Sequence, residues 1–393
     1  MRKIAGIKNG KILTPEGFVD SGSIVISEGK ISSIGEGNEA IDRNDMIDAS
    51  GKMVLPGFVD IHCHGGKGSD VMDATLEDIE AIAKYHAGGG TTAFVPTTAS
   101  SSIEEILKAI DTIHQARKSN LGGAYIIGTH IEGPYFCYAK RGCHLPKYVR
   151  NPRPEEYNRM LEYSDDIKSM TLSPEIDGAE GLIKALVKND IVASIGHSEA
   201  NYKQILEALD WGATHVTHMY CAMSSIVKNG PARMSGVIES TLLLDELTTE
   251  VIADGKHVPP ELIKLVIKTK GIDRVCVVTD AFRGAGMPPG VYTFGPKNGQ
   301  EAVVQNGMSV MPDRTGYASG VVRMKDHIKT LTKLVGLSLI DAVRMATIVP
   351  ARIIGIDGRM GSLEVGKDAN IIIADDDMEI NTTVVNGNLL LPN

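Results

Sequence analysis

Four histidines and two carboxylates in this 393-residue chain share one setting: each stands at or just past the end of an apolar run. His62 and His64 close Phe58-Val59-Asp60-Ile61. Glu132 follows Ile126-Ile127-Gly128-Thr129-His130-Ile131, and His197 follows Ile191-Val192-Ala193-Ser194-Ile195-Gly196. His218 ends Ala213-Thr214-His215-Val216-Thr217, and Asp280 ends Val275-Cys276-Val277-Val278-Thr279. Side chains on a strand repeat with period two, so the imidazoles of His62-x-His64 project from one face. Four neutral imidazoles and two carboxylates can hold one or two divalent cations and leave a position open for water. Each residue also has an ordinary reading: His197 as a satisfied polar group, Asp280 as a helix cap before Ala281, Glu132 as a turn residue before Gly133-Pro134. Six coincidences at strand ends are harder to accept than one site.

Such a site needs a fold that gathers strand ends. Apolar strands are expected at 53–61, 92–96, 124–131, 169–172, 191–195, 213–216, 250–252 and 275–278. Helical segments lie between them, for example 75–87, 103–119, 181–188 and 201–209, and helices at 324–335 and 338–346 finish the ring. Eight strand–helix units predict a parallel (β/α)8 TIM-like barrel over 53–348, with its chemistry at the C-terminal rim. Both chain ends, 1–52 and 349–393, read as short strands and turns and are expected to pair into one small β-sandwich domain. A Gly/Pro-rich insertion at 283–318 has the place of a substrate loop. His130 and His215 share a face with Glu132 and with Thr217 beside His218, as groups that orient a ligand or simply pack. Cys63 faces away from its flanking histidines and reads as a packing residue.

Composition is that of a globular protein, 42% hydrophobic and 23% charged, with net charge −9. No basic stripe is present, so neither nucleic acid nor an anionic membrane is an expected partner. No signal-peptide core or membrane-length apolar run occurs, and five cysteines without a Cys-x-x-Cys predict no disulfide framework. A cytoplasmic location is expected.

Further runs carry a resemblance: Pro56-Gly57-Phe58-Val59-Asp60-Ile61-His62-Cys63-His64-Gly65, His130-Ile131-Glu132-Gly133-Pro134, Arg141-Gly142-Cys143-His144, Gly196-His197-Ser198, Thr217-His218-Met219-Tyr220, Ile252-Ala253-Asp254-Gly255-Lys256-His257, Val278-Thr279-Asp280-Ala281 and Pro350-Ala351-Arg352. The chain resembles the amidohydrolase superfamily and, within it, the N-acetylglucosamine-6-phosphate deacetylase family. The resemblance implies that Glu132, His197 and His218 hold the principal metal and that His62 and His64 hold a second, with Glu132 as bridge. It implies Asp280 as proton shuttle that also touches the second metal, His144 as the group that orients or polarises the amide carbonyl, and His257 as a contact to the sugar or its phosphate. Zinc or iron is the expected ion, with cobalt or manganese also suited. The implied substrate is a phosphorylated N-acetyl amino sugar, and the implied assembly a homodimer.

The sequence departs from the family at the phosphate end. Tyr220-Cys221-Ala222-Met223 carries a thiol where the family has an asparagine amide, leaving backbone contacts at Cys221 and Ala222. Val227-Lys228-Asn229-Gly230-Pro231-Ala232 lacks the family's phosphate-binding arginine. Lys228 can substitute only as a point charge, with Asn229 beside it. Arg283 is a candidate anion contact from a new direction. An altered N-acyl sugar or another N-acyl anion is the alternative substrate, and a non-catalytic barrel used for assembly is the reading outside enzymes.

Overall fold

The computed structural model describes residues 2–36, 45–119 and 121–390. Eight strands occupy the middle of the chain: β1 (Phe58–Cys63), β2 (Thr91–Thr98), β3 (Thr129–Glu132), β4 (Ile167–Leu172), β5 (Val192–Ile195), β6 (His215–Val216), β7 (Thr248–Val251) and β8 (Val275–Val277). Each pairs in parallel with the next. β8 returns to β1 through residues just past their ends. The Asp280 N–H donates to the His62 carbonyl at 2.9 Å, and the His64 and Gly65 N–H groups donate to the Ala281 carbonyl at 2.8 Å. The expected barrel is present and nearly closed. Its strands are covered on both faces, which is why they read as apolar runs; every residue of β2 is buried.

The helix starts are written in the sequence. Thr75, Ser102 and Asn201 each accept first-turn N–H bonds at the starts of Leu76–Ala87, Ile103–Lys118 and Tyr202–Trp211. Their apolar faces pack on the strands: Ile79, Ile82, Ile106, Ile110 and Ile205 share one core with Phe58, Phe94 and Ile131.

Two expected strands divide. The run 53–61 is an end-sheet strand, Met53–Pro56, followed after Gly57 by β1. Met53–Pro56 pairs antiparallel with Ile371–Ala374 and parallel with Lys11-Ile12. The run 124–131 breaks between Tyr125–Ile126 and β3, where a Cβ on Gly128 would meet the Asp166 carbonyl oxygen at 2.4 Å.

The two chain ends build one mixed nine-stranded sheet. Period two gives its strands two apolar faces. Val54, Ile371 and Ile373 join Ile7, Ile12 and Ile24 in the core of this small domain. Met53, Leu55, Ile372 and Ala374 face the barrel's core instead. The insertion at 283–318, expected as a loop, holds an antiparallel sheet of Gly290–Phe294, Gln300–Gln305 and Met308–Val310. Its strands are short and partly exposed, so their apolar pattern is weak. Among the described residues no helix is long and apolar enough to cross a membrane.

Candidate active site

The barrel brings all six strand-end groups into one buried cluster. Glu132 is its centre. Oε1 lies 3.1 Å from His218 Nε2, 3.2 Å from His197 Nε2 and 3.4 Å from His62 Nε2. Oε2 lies 3.1 Å from His64 Nε2 and 3.2 Å from His144 Nε2. Asp280 Oδ1 is 3.3 Å from His64 Nε2 and 3.5 Å from His62 Nε2. His197, His218 and Asp280 have φ of 50°, 28° and 45°. Left-handed backbone on non-glycine residues is costly and collects where function requires it. At Asp280 the surroundings enforce it: the Gly320 N–H and the Ser319 hydroxyl both donate to its carbonyl. Asp60, buried beneath, accepts from the Thr279 N–H and hydroxyl at 3.2 and 2.5 Å.

Ring partners at Nδ1 sort the histidines by tautomer. His64 Nδ1 donates to the Thr97 carbonyl (3.2 Å), His197 Nδ1 to the Lys140 carbonyl (2.8 Å) and His62 Nδ1 to Glu250 Oε2 (2.9 Å). In its neutral form each therefore turns an Nε2 lone pair toward the cluster. His144 is reversed. Its Nδ1 accepts the Ser100 N–H at 3.1 Å, so its proton is on Nε2 and it faces Glu132 as a donor, not a ligand.

Burial works against a charged His62, but the carboxylates of Glu250, Glu132 and Asp280 hold its pKa well above the imidazole range. His64 is pushed up to about 9, against burial, by Asp280 and Glu132. Glu132 and Asp280 are held below the carboxylate range, against burial, chiefly by His62. His197 falls to about 4 because burial outweighs its contact with Glu132. The cluster thus traps positive charge, which a divalent cation supplies without protons. The spacing fits as well: bonds of about 2.1 Å at tetrahedral angles separate ligand atoms by about 3.4 Å.

Above this floor opens a cavity of about 490 Å³, lined by His197, His218 and Asp280 below and by Cys221, Ala222 and His257 at the side. His257 Nδ1 is 2.7 Å from Asp254 Oδ2, and its buried Nε2 has no partner among the described residues. Tyr317, from the far end of the insertion, packs on the His257 ring at 4.6 Å between centroids.

Three expected substrate contacts lie elsewhere. Arg283 does not face the cavity. Its guanidinium pairs with Asp73 at 3.1 and 3.3 Å and donates to the Thr293 and Gly295 carbonyls at 2.7 and 2.8 Å. That full set of acceptors makes it a tie for the insertion rather than an anion contact. Lys228 and Asn229 sit on an exposed hairpin, paired with Arg233 and Ala232, away from the cavity lining. Glu250 carries no signal in the sequence, where it looks like the first residue of an apolar strand. Cys63 points into the helix-side core, 3.2 Å from His86 Nε2.

The amidohydrolase family model matches residues 53–390. An N-acetylglucosamine-6-phosphate deacetylase of Bacillus subtilis is 32% identical over 98% of this chain and 96% of its own length. An N-acetylgalactosamine-6-phosphate deacetylase of Escherichia coli O157:H7 is 30% identical over 96% and 97%. The crystal structure of N-acetylglucosamine-6-phosphate deacetylase from Pasteurella multocida superposes with a TM-score of 0.91, 30% identity and 98% coverage of both chains. A Mycobacterium smegmatis enzyme of that name, solved with N-acetyl-D-glucosamine-6-phosphate, gives 0.90 at 28% identity over the whole of both chains. Divalent metal use is general to such amidohydrolases, and the described residues hold candidate ligand groups. The chain belongs to the amidohydrolase family, in its N-acetylglucosamine-6-phosphate deacetylase branch, and is a metal-dependent amide hydrolase.

Proposed function

We propose that this enzyme hydrolyses the acetamide of an N-acetyl amino-sugar 6-phosphate, foremost N-acetylglucosamine-6-phosphate, to acetate and the amino-sugar phosphate. The convergence of ligand-competent Nε2 atoms on Glu132, with Asp280 alongside at the floor of the cavity, carries this reading. Glu132, His197 and His218 would hold one cation, and His62 and His64 a second. Glu132 is placed to serve both subsites: Oε1 faces His197, His218 and His62, while Oε2 faces His64. Zinc or iron suits this donor set best. A cation held by these residues would supply Lewis-acid chemistry, polarising the amide carbonyl and lowering the pKa of water to about 7.

The chain's own residues do the rest. Asp280, held ionised, takes the proton of the attacking water as the carbonyl carbon becomes tetrahedral. It then delivers that proton to the departing nitrogen, so that the C–N bond breaks to a neutral amine. The His144 Nε2–H, which faces Glu132, is the donor that turns to the carbonyl oxygen when substrate is bound. His257, with its free Nε2, and the backbone at Cys221 and Ala222 hold the sugar and its phosphate. Lys228 and Asn229, with Arg233 across the hairpin, serve the phosphate of a second copy, which makes a homodimer part of the reading. Five unpaired cysteines agree with a cytoplasmic location.

Relatives named for both the glucosamine and the galactosamine substrate match nearly the whole chain. The test is acetate release from both 6-phosphates, the mannosamine epimer and the unphosphorylated sugars, after metal removal and add-back. Turnover of unphosphorylated sugars alone would overturn the phosphate assignment; no metal-dependent acetate release from any of them would overturn the whole.

A further inference from the structure

Glu250, third residue of β7, is a carboxylate sealed beneath the cluster and only 2% exposed. Nothing in the reaction above uses it. Its Oε2 accepts from His62 Nδ1 at 2.9 Å and from the His218 backbone N–H at 3.1 Å. Its Oε1 lies 3.4 Å from His215 Nε2, whose other nitrogen is 2.7 Å from Thr248 Oγ1. One buried side chain therefore touches a histidine of each proposed metal subsite, a ring in one case and a backbone in the other.

The contact to His62 differs in kind from its counterparts. His64 and His197 give Nδ1–H to neutral carbonyls, and His218 Nδ1 has no partner among the described residues. Of these four rings, only His62 has a carboxylate there among the described residues. A carboxylate fixes the Nδ1–H tautomer more firmly than a carbonyl and makes the opposite nitrogen a better electron donor. The contact to His218 holds an N–H in a residue whose φ is 28°, a backbone shape that needs such support.

Resting on the two-metal reading, we propose that Glu250 is the positioning residue of the second metal subsite: it makes His62 a strong ligand and sets, through the same oxygen, the backbone pose of His218. It acts through these histidines and touches no substrate.

Glu250→Gln tests this with little change of shape. The amide oxygen can still accept from His62 and His218, and its NH2 can donate to His215, which is free to be the acceptor. Full-length protein is stripped and titrated with Zn(II) and with Co(II), with bound equivalents read by elemental analysis and Co(II) coordination by visible spectra. Wild type should bind two equivalents. Glu250→Gln should keep the first at wild-type affinity and bind the second about 10–100-fold more weakly, with kcat recovering at raised metal while KM stays level. In a His62→Ala background the same change should not weaken the second equivalent further. Tight binding of both equivalents by Glu250→Gln overturns this inference alone, as does a full additive loss in the His62→Ala background. A wild type that binds one equivalent overturns the two-metal reading and this inference with it.

Discussion

Arg283 and Asp73 form a two-pronged ion pair, Nη1 to Oδ2 at 3.1 Å and Nη2 to Oδ1 at 3.3 Å. The pair joins the start of the insertion to the segment after β1, and Asp70 lies 3.9 Å from the same guanidinium. Arg283→Ala leaves both carboxylates without that charge. It should destabilise the fold by about 2–4 kcal/mol while changing the KM for anionic substrates by less than about twofold. Thermal unfolding and steady-state kinetics measure the two; a raised KM with an unchanged melting temperature would restore the anion contact.

Asp280→Asn keeps the shape of the side chain but cannot take a proton. The kcat should fall by about 10³-fold with bound metal unchanged. Acetate release and elemental analysis on one preparation check this. A variant with near-normal turnover would remove Asp280 from proton transfer.

His144 and His197 lie on opposite sides of the tautomer divide and should fail differently. His144→Ala should lose about 10²-fold in kcat and keep its full complement of metal, because a donated Nε2–H is a carbonyl-orienting group. His197→Ala should lose metal first and activity as a consequence. Metal content before assay separates the two, and loss of metal in His144→Ala would make it a ligand after all.

Metal uptake should release protons. In the metal-free cluster His64 has its pKa pushed up to about 9, so at neutral pH its proton must leave when a cation arrives. Affinity should rise about tenfold per pH unit for each proton displaced and level off above about 9. Calorimetry in buffers of different ionisation enthalpy counts the protons. The metal-free protein should behave oppositely. A raised histidine pKa stabilises the fold fully below its ordinary 6.5, and that contribution is lost as pH rises through about 9. Alkaline pH should thus weaken the empty protein and strengthen the loaded one.

The clustered groups were legible because each is a polar residue ending an apolar run, and a barrel places such ends on one rim. His62 and His64 could be paired from spacing alone. Glu250 could not, because a carboxylate within a strand signals nothing until His62, 188 residues away, is folded against it. Arg283 misled for a similar reason: its partner Asp73 is 210 residues distant, so a tied side chain looked like a free one. The direction of the His144 proton was also invisible, since it is set by the backbone N–H of Ser100. Residue type and local pattern show where charge collects; they do not show which distant group has already neutralised it.

The strand Met53–Pro56 lies between a strand from the start of the chain and one from its end, and it ends six residues before His62, the first clustered histidine of β1. During synthesis this neighbour is missing until Ile371–Ala374 has left the ribosome. The stretch that leads into the histidine cluster is therefore anchored on one side only for most of the chain's production. Long-range pairing of this kind is slow to form. A chain lacking Ile371–Ala374 would present an unpaired sheet edge at Met53–Pro56, a few residues before the clustered histidines.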